Sequence, residues 1–310
     1  MNLFFLFFSW SFLLLVKELL TRQAEVGRFT FSLYNHVSCD LGNEEDTLHV
    51  DTKIRLKIYK GNSSHFTSTE SMVTNPGNIA DDILPDRDSI LYIHGFMENT
   101  EAENARIIIK AYLDKGDVNV MLLDWGDIAF NINYLYVSSQ IVTIGKAVAE
   151  SLNKLVDLID LDTLHVVGHS LGAHIAGNIG RYANVNLSRV TGLDPALPLF
   201  YPSTCHIRST DAEAVVILHT DGGFYGTATN TGTVDFYANG GIGVQPGCPI
   251  IFGGAEKHGR RFERNFRSME RRSRKHDRPR YTPDCSVLGR HGNFAYLTFH
   301  PMLHLPLNDA

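Results

Sequence analysis

The chain has few cysteines, two tryptophans, no surplus of basic charge and no apolar run long enough to cross a bilayer. Each shortage excludes something. The longest apolar run, Leu3 to Val16, is broken only by Ser9 and Ser11 and closed by Lys17 and Glu18. Spanning a membrane takes about 20 residues, so this length suits the h-region of a secretory signal peptide. A leader over residues 1–24, cleaved near Ala24, is expected, with an uncleaved anchor as the alternative. Four cysteines, Cys39, Cys205, Cys248 and Cys285, include no C-x-x-C pair and no clustered Cys/His spacing, which argues against structural zinc. In an oxidising compartment they allow three pairings, among which the sequence does not choose. The net charge of −6 disfavours a nucleic-acid binder that works through an overall basic surface.

What is present is ample apolar material. Of 310 residues, 44% are hydrophobic and 20% charged, enough for one large domain over residues 25–310. Charge is uneven: residues 259–310 hold 11 Lys and Arg against 5 Asp and Glu. The sequons Asn62-Ser63-Ser64 and Asn186-Leu187-Ser188 are compatible with secretion.

From about residue 88 short apolar runs alternate with longer amphipathic stretches. Strands are predicted at Ser89–His94, Val118–Asp124, Leu164–Gly168, Val190–Leu193 and Ala214–His219. Helices are predicted from Glu101 to Lys115 behind an Asn99 N-cap, from Ser138 to Ile159, and from Leu171 onward. Before them, Phe29–Tyr34 and Ile54–Tyr59 read as extended entry strands. Strands alternating with helices imply βαβ units and a mostly parallel sheet covered on both faces.

Gly168-His169-Ser170-Leu171-Gly172 follows an apolar strand and opens a helix. A serine on such a tight turn projects its hydroxyl above the sheet, over a helix N-terminus that favours developing negative charge. A nucleophilic serine needs a base, and the base needs an orienting acid. In an α/β-hydrolase arrangement the acid follows a later strand and the histidine comes last. Asp194, in Gly192-Leu193-Asp194-Pro195-Ala196, occupies the acid's place. His94-Gly95-Phe96 follows an earlier strand and fits an oxyanion loop, with the Phe96 and Leu171 N–H groups as donors.

Together, I-H-G-F at 93–96, D-W-G at 124–126, G-H-S-L-G at 168–172 and G-L-D-P-A at 192–196 resemble the pancreatic lipase family. So do Asp211-Ala212, H-T-D-G-G at 219–223, V-D-F-Y-A-N-G-G at 234–241 and Q-P-G-C at 245–248. The resemblance is nearest to short arthropod-type members, neutral lipases and phospholipases A1. It implies an α/β-hydrolase fold and a secreted serine esterase that cleaves lipid esters without metal or cofactor.

The resemblance also implies His258, within Glu256-Lys257-His258-Gly259-Arg260, as the base; His276, His291 and His300 are its rivals. The family carries cysteine where Glu256 stands, normally bridged to the position of Cys248. Here Cys248 either pairs with Cys205 or leaves the lid loop open. No long second domain is expected after His258. Nine residues separate Cys248 from His258 and 13 separate Asp221 from Asp235. Loops this short resemble the phospholipase A1 type, with triacylglycerol lipase as the alternative and an inactive yolk-type lipid-binding protein as a rival class. The expected partner is lipid at a membrane or lipoprotein surface. The segment Arg260–Arg280 reads as a solvated basic helix face or, alternatively, as a contact for anionic lipid.

Overall fold

The computed structural model describes residues 50–241 apart from 202, 203 and 224. Eight strands form one sheet: β1 (Arg55–Asn62), β2 (His65–Met72), β3 (Asp88–Ile93), β4 (Val118–Asp124), β5 (His165–His169), β6 (Arg189–Leu193), β7 (Ala214–His219) and β8 (Val234–Tyr237). Their order is β2-β1-β4-β3-β5-β6-β7-β8. The strands from β3 to β8 run parallel, while β1 is antiparallel to both β2 and β4. Eight strands in this order, with helices on the crossovers from β3 to β4, β4 to β5 and β5 to β6, make the α/β-hydrolase fold that the resemblance implied.

The helices are α1 (Gly77–Ala80), α2 (Glu103–Lys115), α3 (Gly126–Ala129), α4 (Tyr134–Ser139), α5 (Ile141–Asn153) and α6 (Leu171–Tyr182). Strand residues alternate between two cores, as a period of two requires. Leu91, Ile93, Met121, Leu123 and Val166 face the layer holding Ile141, Ile144, Val148, Ile175 and Ile179 of α5 and α6. Ile90, Tyr92, Val120, Leu122 and Val167 face Ala105, Ile108, Ile109 and Tyr112 of α2. Both faces are therefore covered, and the strands read as apolar runs for that reason.

Three expectations need correction. The cap of α2 is Ala102, which makes no side-chain cap bond, whereas Asn99 Oδ1 accepts from Glu101 N–H at 3.0 Å and closes the turn before the helix. The stretch predicted as one helix from Ser138 to Ile159 is divided at Gln140, and its helical part ends at Asn153. Beyond Asn153 the apolar positions are filled by turns, in which Leu155 and Ile159 are still buried. Strand β2 was not foreseen. Its sequence is largely polar because it is the outer edge strand with most of its side chains in water. The strand predicted at Phe29–Tyr34, the leader over residues 1–24 and everything after residue 241 lie outside the described residues. Of the four cysteines only Cys205 is among them, fully buried in the core.

Candidate active site

The ends of β3, β5 and β6 converge on Ser170. Strand β5 stops at His169, α6 starts at Leu171, and Ser170 joins them with φ 54° and ψ −118°. This backbone conformation is strained for a residue with a side chain and costs about 1–3 kcal/mol. Ser170 N–H donates to Leu193 O at 2.9 Å, which ties the turn to the end of β6. The two glycines of the motif are there because nothing larger fits. A Cβ on Gly168 would lie 2.1 Å from Gly172 O, and one on Gly172 would lie 2.4 Å from Ile93 O and 2.5 Å from His94 O. The elbow is thus wedged against the end of β3.

Asp194 caps β6, also at positive φ (47°). Its N–H donates to Leu218 O at 2.7 Å, and Oδ1 accepts from Thr220 N–H at 2.8 Å and Asp221 N–H at 2.9 Å. The buried carboxylate is thereby held by the backbone that leaves β7. Gly226 packs directly on it: a Cβ there would meet Oδ1 and Oδ2 at 2.6 Å each. Asp221 stands alongside. Burial first, and the charge of Asp194 second, push its carboxyl up to about 6, against a hydrogen bond from Tyr225 N–H.

The loop after β3 closes the other side. A Cβ on Gly95 would touch Ser170 Cβ and His169 Nδ1, each at 3.0 Å, so Gly95 permits the approach of this loop to Ser170. Trp125 Nε1 donates to His94 O at 3.0 Å, and its ring stacks on His94 with centroids 5.3 Å apart. His94 Nδ1 donates to Gly95 O at 3.1 Å, and burial lowers its pKa, so the ring is neutral. The Phe96 ring meets Tyr134 edge-on at 5.1 Å, and Tyr134 Oη donates to Pro198 O at 3.3 Å. Leu171 is the first residue of α6, where N–H groups have no intrahelical acceptor.

Glu98 is a member of the site that the motifs did not reveal. Its Oε2 accepts from Gly95 N–H at 2.8 Å, its Oε1 accepts from Asn104 Nδ2 at 2.6 Å, and His169 Nδ1 lies 3.4 Å away. Burial resists the ionisation of Glu98, but the charge and hydrogen bond of His169, with Gly95 N–H, hold its pKa at about 2. His169 is raised in turn: burial lowers it, and the Glu98 carboxylate more than offsets that. The pair locks the loop after β3 to the residue before Ser170. A lone Glu in a loop, 71 residues from its partner, has no local signature.

Behind the site two buried histidines act as clasps. His174 Nδ1 accepts from Ile207 N–H at 3.2 Å, so its Nε2 carries the proton and donates to Ala196 O at 2.8 Å. Burial drives its pKa down to about 3. His219 is fully buried, with Nδ1 2.7 Å from Thr227 O and Nε2 2.8 Å from Asp235 Oδ1. This second His–carboxylate pair joins β7 to β8. Among the described residues no group of three or more His, Cys, Asp or Glu is gathered to hold a metal ion.

Of the residues predicted from sequence, the fold brings Ser170, Asp194, Phe96 and Leu171 to adjoining strand and helix ends. His258 and its rivals His276, His291 and His300 lie outside the described residues. The profile of the Lipase family matches residues 37–259, a span that includes every one of these strand ends. The chain belongs to the Lipase family. Lipase member H-A of Xenopus laevis is 38% identical over 180 residues, which is 55% of this chain and 38% of that protein. Pancreatic triacylglycerol lipase of Cavia porcellus is 35% identical over 177 residues, 54% of this chain and 38% of the relative. These matches place the lipase-family chain in the pancreatic lipase group, and each spans well under half of the relative's length. Among solved structures, an α/β hydrolase from a Medee basin deep-sea metagenome superposes with a TM-score of 0.37 at 14% identity, covering 70% of this chain and 92% of that one. The fold assignment rests instead on the strand order and the elbow at Ser170.

Proposed function

We propose that the protein is a secreted serine esterase that hydrolyses carboxylic esters of lipids through Ser170, Asp194 and His258. The observation that carries this reading is the Ser170 elbow, strained, glycine-packed and placed beside the backbone-held carboxylate of Asp194. Strain of this kind persists only where the surrounding structure over-determines it. In this reading His258 takes the Ser170 proton as the hydroxyl attacks the ester carbonyl. Asp194 orients the imidazole and stabilises its cation. The Phe96 and Leu171 N–H groups receive the oxyanion, each donor worth about 2.7–4 kcal/mol in the transition state. Collapse of the tetrahedral intermediate expels the alcohol, which takes its proton from His258, and water then releases the fatty acid.

Phospholipid, cleaved at the A1 position, is the favoured substrate. The short stretches between Cys248 and His258 and between Asp221 and Asp235 support an open site that admits a bulky polar head group. Triacylglycerol is the second reading, favoured by the 35% identity to a pancreatic triacylglycerol lipase.

The test is fatty-acid release from phosphatidylcholine and from triglyceride by wild type, Ser170→Ala and His258→Ala. Release from phospholipid that both substitutions reduce by about 10³-fold or more is expected. Release from triglyceride alone would transfer the mechanism to the second reading. A wild type as inert as Ser170→Ala on both would favour a lipid-binding protein on the same fold.

A further inference from the structure

The apolar surface beside the oxyanion loop has no part in the chemistry above. From Ile128 to Gly145 the chain carries no charged residue. Some of this stretch is core: Ile128, Ala129, Val137 and Ile141 are buried. Phe130, Ile132 and Leu135 are not, with 47%, 68% and 43% of their surface exposed. Three large apolar side chains are thus exposed within six residues, on an uncharged stretch that runs from the loop after α3 into α4, and exposed apolar surface of this kind marks an interaction site.

The loop is held in shape. Phe130 N–H donates to Gly126 O at 3.0 Å and Asn131 N–H to Ile128 O at 3.1 Å. Asn131 Oδ1 accepts from Asn133 N–H at 2.8 Å, and Asn133 Oδ1 caps α4 through Tyr136 N–H at 3.3 Å. The display of Ile132 at the tip is therefore built into the backbone. The loop is also continuous with the candidate active site. Met97 N–H, next to the oxyanion donor Phe96, donates to Ala129 O at 3.1 Å. Tyr134 touches the Phe96 ring and reaches Pro198 O beyond the catalytic acid. On the acid's side Tyr225 is another exposed aromatic, its carbonyl accepting Leu197 N–H at 2.8 Å.

We propose that Phe130, Ile132 and Leu135 form a docking patch that seats the mouth of the active site on an electrically neutral lipid surface. The inference rests on the lipid-ester reading and adds to it the place where the aggregate is met. Continuity with the site argues for lipid, because a patch anchored there sets the mouth at the interface. The missing charge argues for a neutral surface, since apolar side chains entering the head-group boundary contribute through buried area and gain nothing from anionic lipid.

The experiment uses the full chain carrying Ser170→Ala and vesicles of palmitoyl-oleoyl-phosphatidylcholine alone, with binding read by flotation. Ile132→Asp is expected to lower the partition coefficient about tenfold and Ile132→Trp to raise it severalfold. Binding should persist at about 0.5 M NaCl, where charge attraction is screened. In the background that retains Ser170, both variants should keep p-nitrophenyl butyrate turnover within about twofold of wild type, which also reports that they fold. Equal partition of all three proteins overturns the proposal. So does a parallel change in soluble-ester turnover, which would mean that another part of the chain covers the patch, or a dimer in sedimentation that Ile132→Asp dissociates. If the chain that retains Ser170 cleaves neither lipid nor soluble ester, the esterase reading fails while flotation still decides the patch.

Discussion

Ser170 and Asp194 both sit at positive φ, and so does Met97 in the loop after β3. Strain gathers where three strands deliver their last residues to one point, and the small residues around it are there for clearance. Gly226→Ala tests this directly. Its added Cβ, 2.6 Å from both oxygens of Asp194, must displace the carboxylate, so ester turnover should fall by tenfold or more while the thermal midpoint moves little. Asp221 gives a second prediction with a definite sign. Its folded carboxyl is raised to about 6 from 3.8, so its ionised form destabilises the native state above that pH. The effect disappears once both states are protonated, below the unfolded value. Asp221→Asn should therefore be about 1–2 kcal/mol more stable than wild type at pH 8 and no more stable at pH 3.5, measured by urea unfolding at each pH. At this scale the turns at Ser170 and Asp194 were legible because each imposes its own neighbours: glycines around the elbow, a proline after Asp194. Glu98 and Gly226 were not, because what they do depends on segments that only the fold brings near.

Helix α6 carries Ser170 at its N-terminus and an ion pair at its other end. Arg181 meets Asp211 through Nε at 3.1 Å and through Nη2 at 2.9 Å to both oxygens, and Nη1 reaches Asn178 Oδ1 at 2.9 Å. Asp211 also accepts from Arg208 N–H at 2.8 Å and is almost wholly buried. This bidentate pair fixes the far end of the helix to the loop before β7, and so the angle at which α6 meets the elbow. Asp211→Ala leaves a partly buried guanidinium without its counter-ion and should cost about 3–5 kcal/mol, seen as an earlier chemical unfolding midpoint. Legibility differed among elements. The strands from β3 to β7 were readable as apolar runs because helices cover both faces. The polar edge strand β2 and the short β8 were not, since edge position is a property of the sheet and not of their own sequence.

For the molecule as a whole, buried neutral histidines set an acid limit. His165 and His174 are each held down to about 3 by burial, far below the 6.5 of an exposed imidazole. The unfolded chain takes up their protons first. Their contribution is complete above about pH 6.5 and is lost as pH falls toward 3, at roughly 2 kcal/mol each between pH 7 and 5. Asp221 and the raised His169 work in the opposite direction over part of this range. The two losses outweigh those gains, so the urea midpoint should drop between pH 7 and 5. A flat or rising midpoint would show that one of these rings is charged in the fold.

The sequence by itself determined the class of the protein: a parallel sheet between helices, a serine elbow after a strand, an acid after a later strand, and membership of the lipase group. These are local patterns, set by the periodicity of burial and by the few residues that tight backbone turns tolerate. Only the tertiary structure decided what holds them in register: Glu98 between Gly95 and His169, Gly226 against Asp194, His174 between Ala196 and Ile207, and an uncharged apolar stretch tied to the loop after β3. Each of these joins residues distant along the chain, and its stability comes from burial and hydrogen bonding that do not exist until the fold has formed.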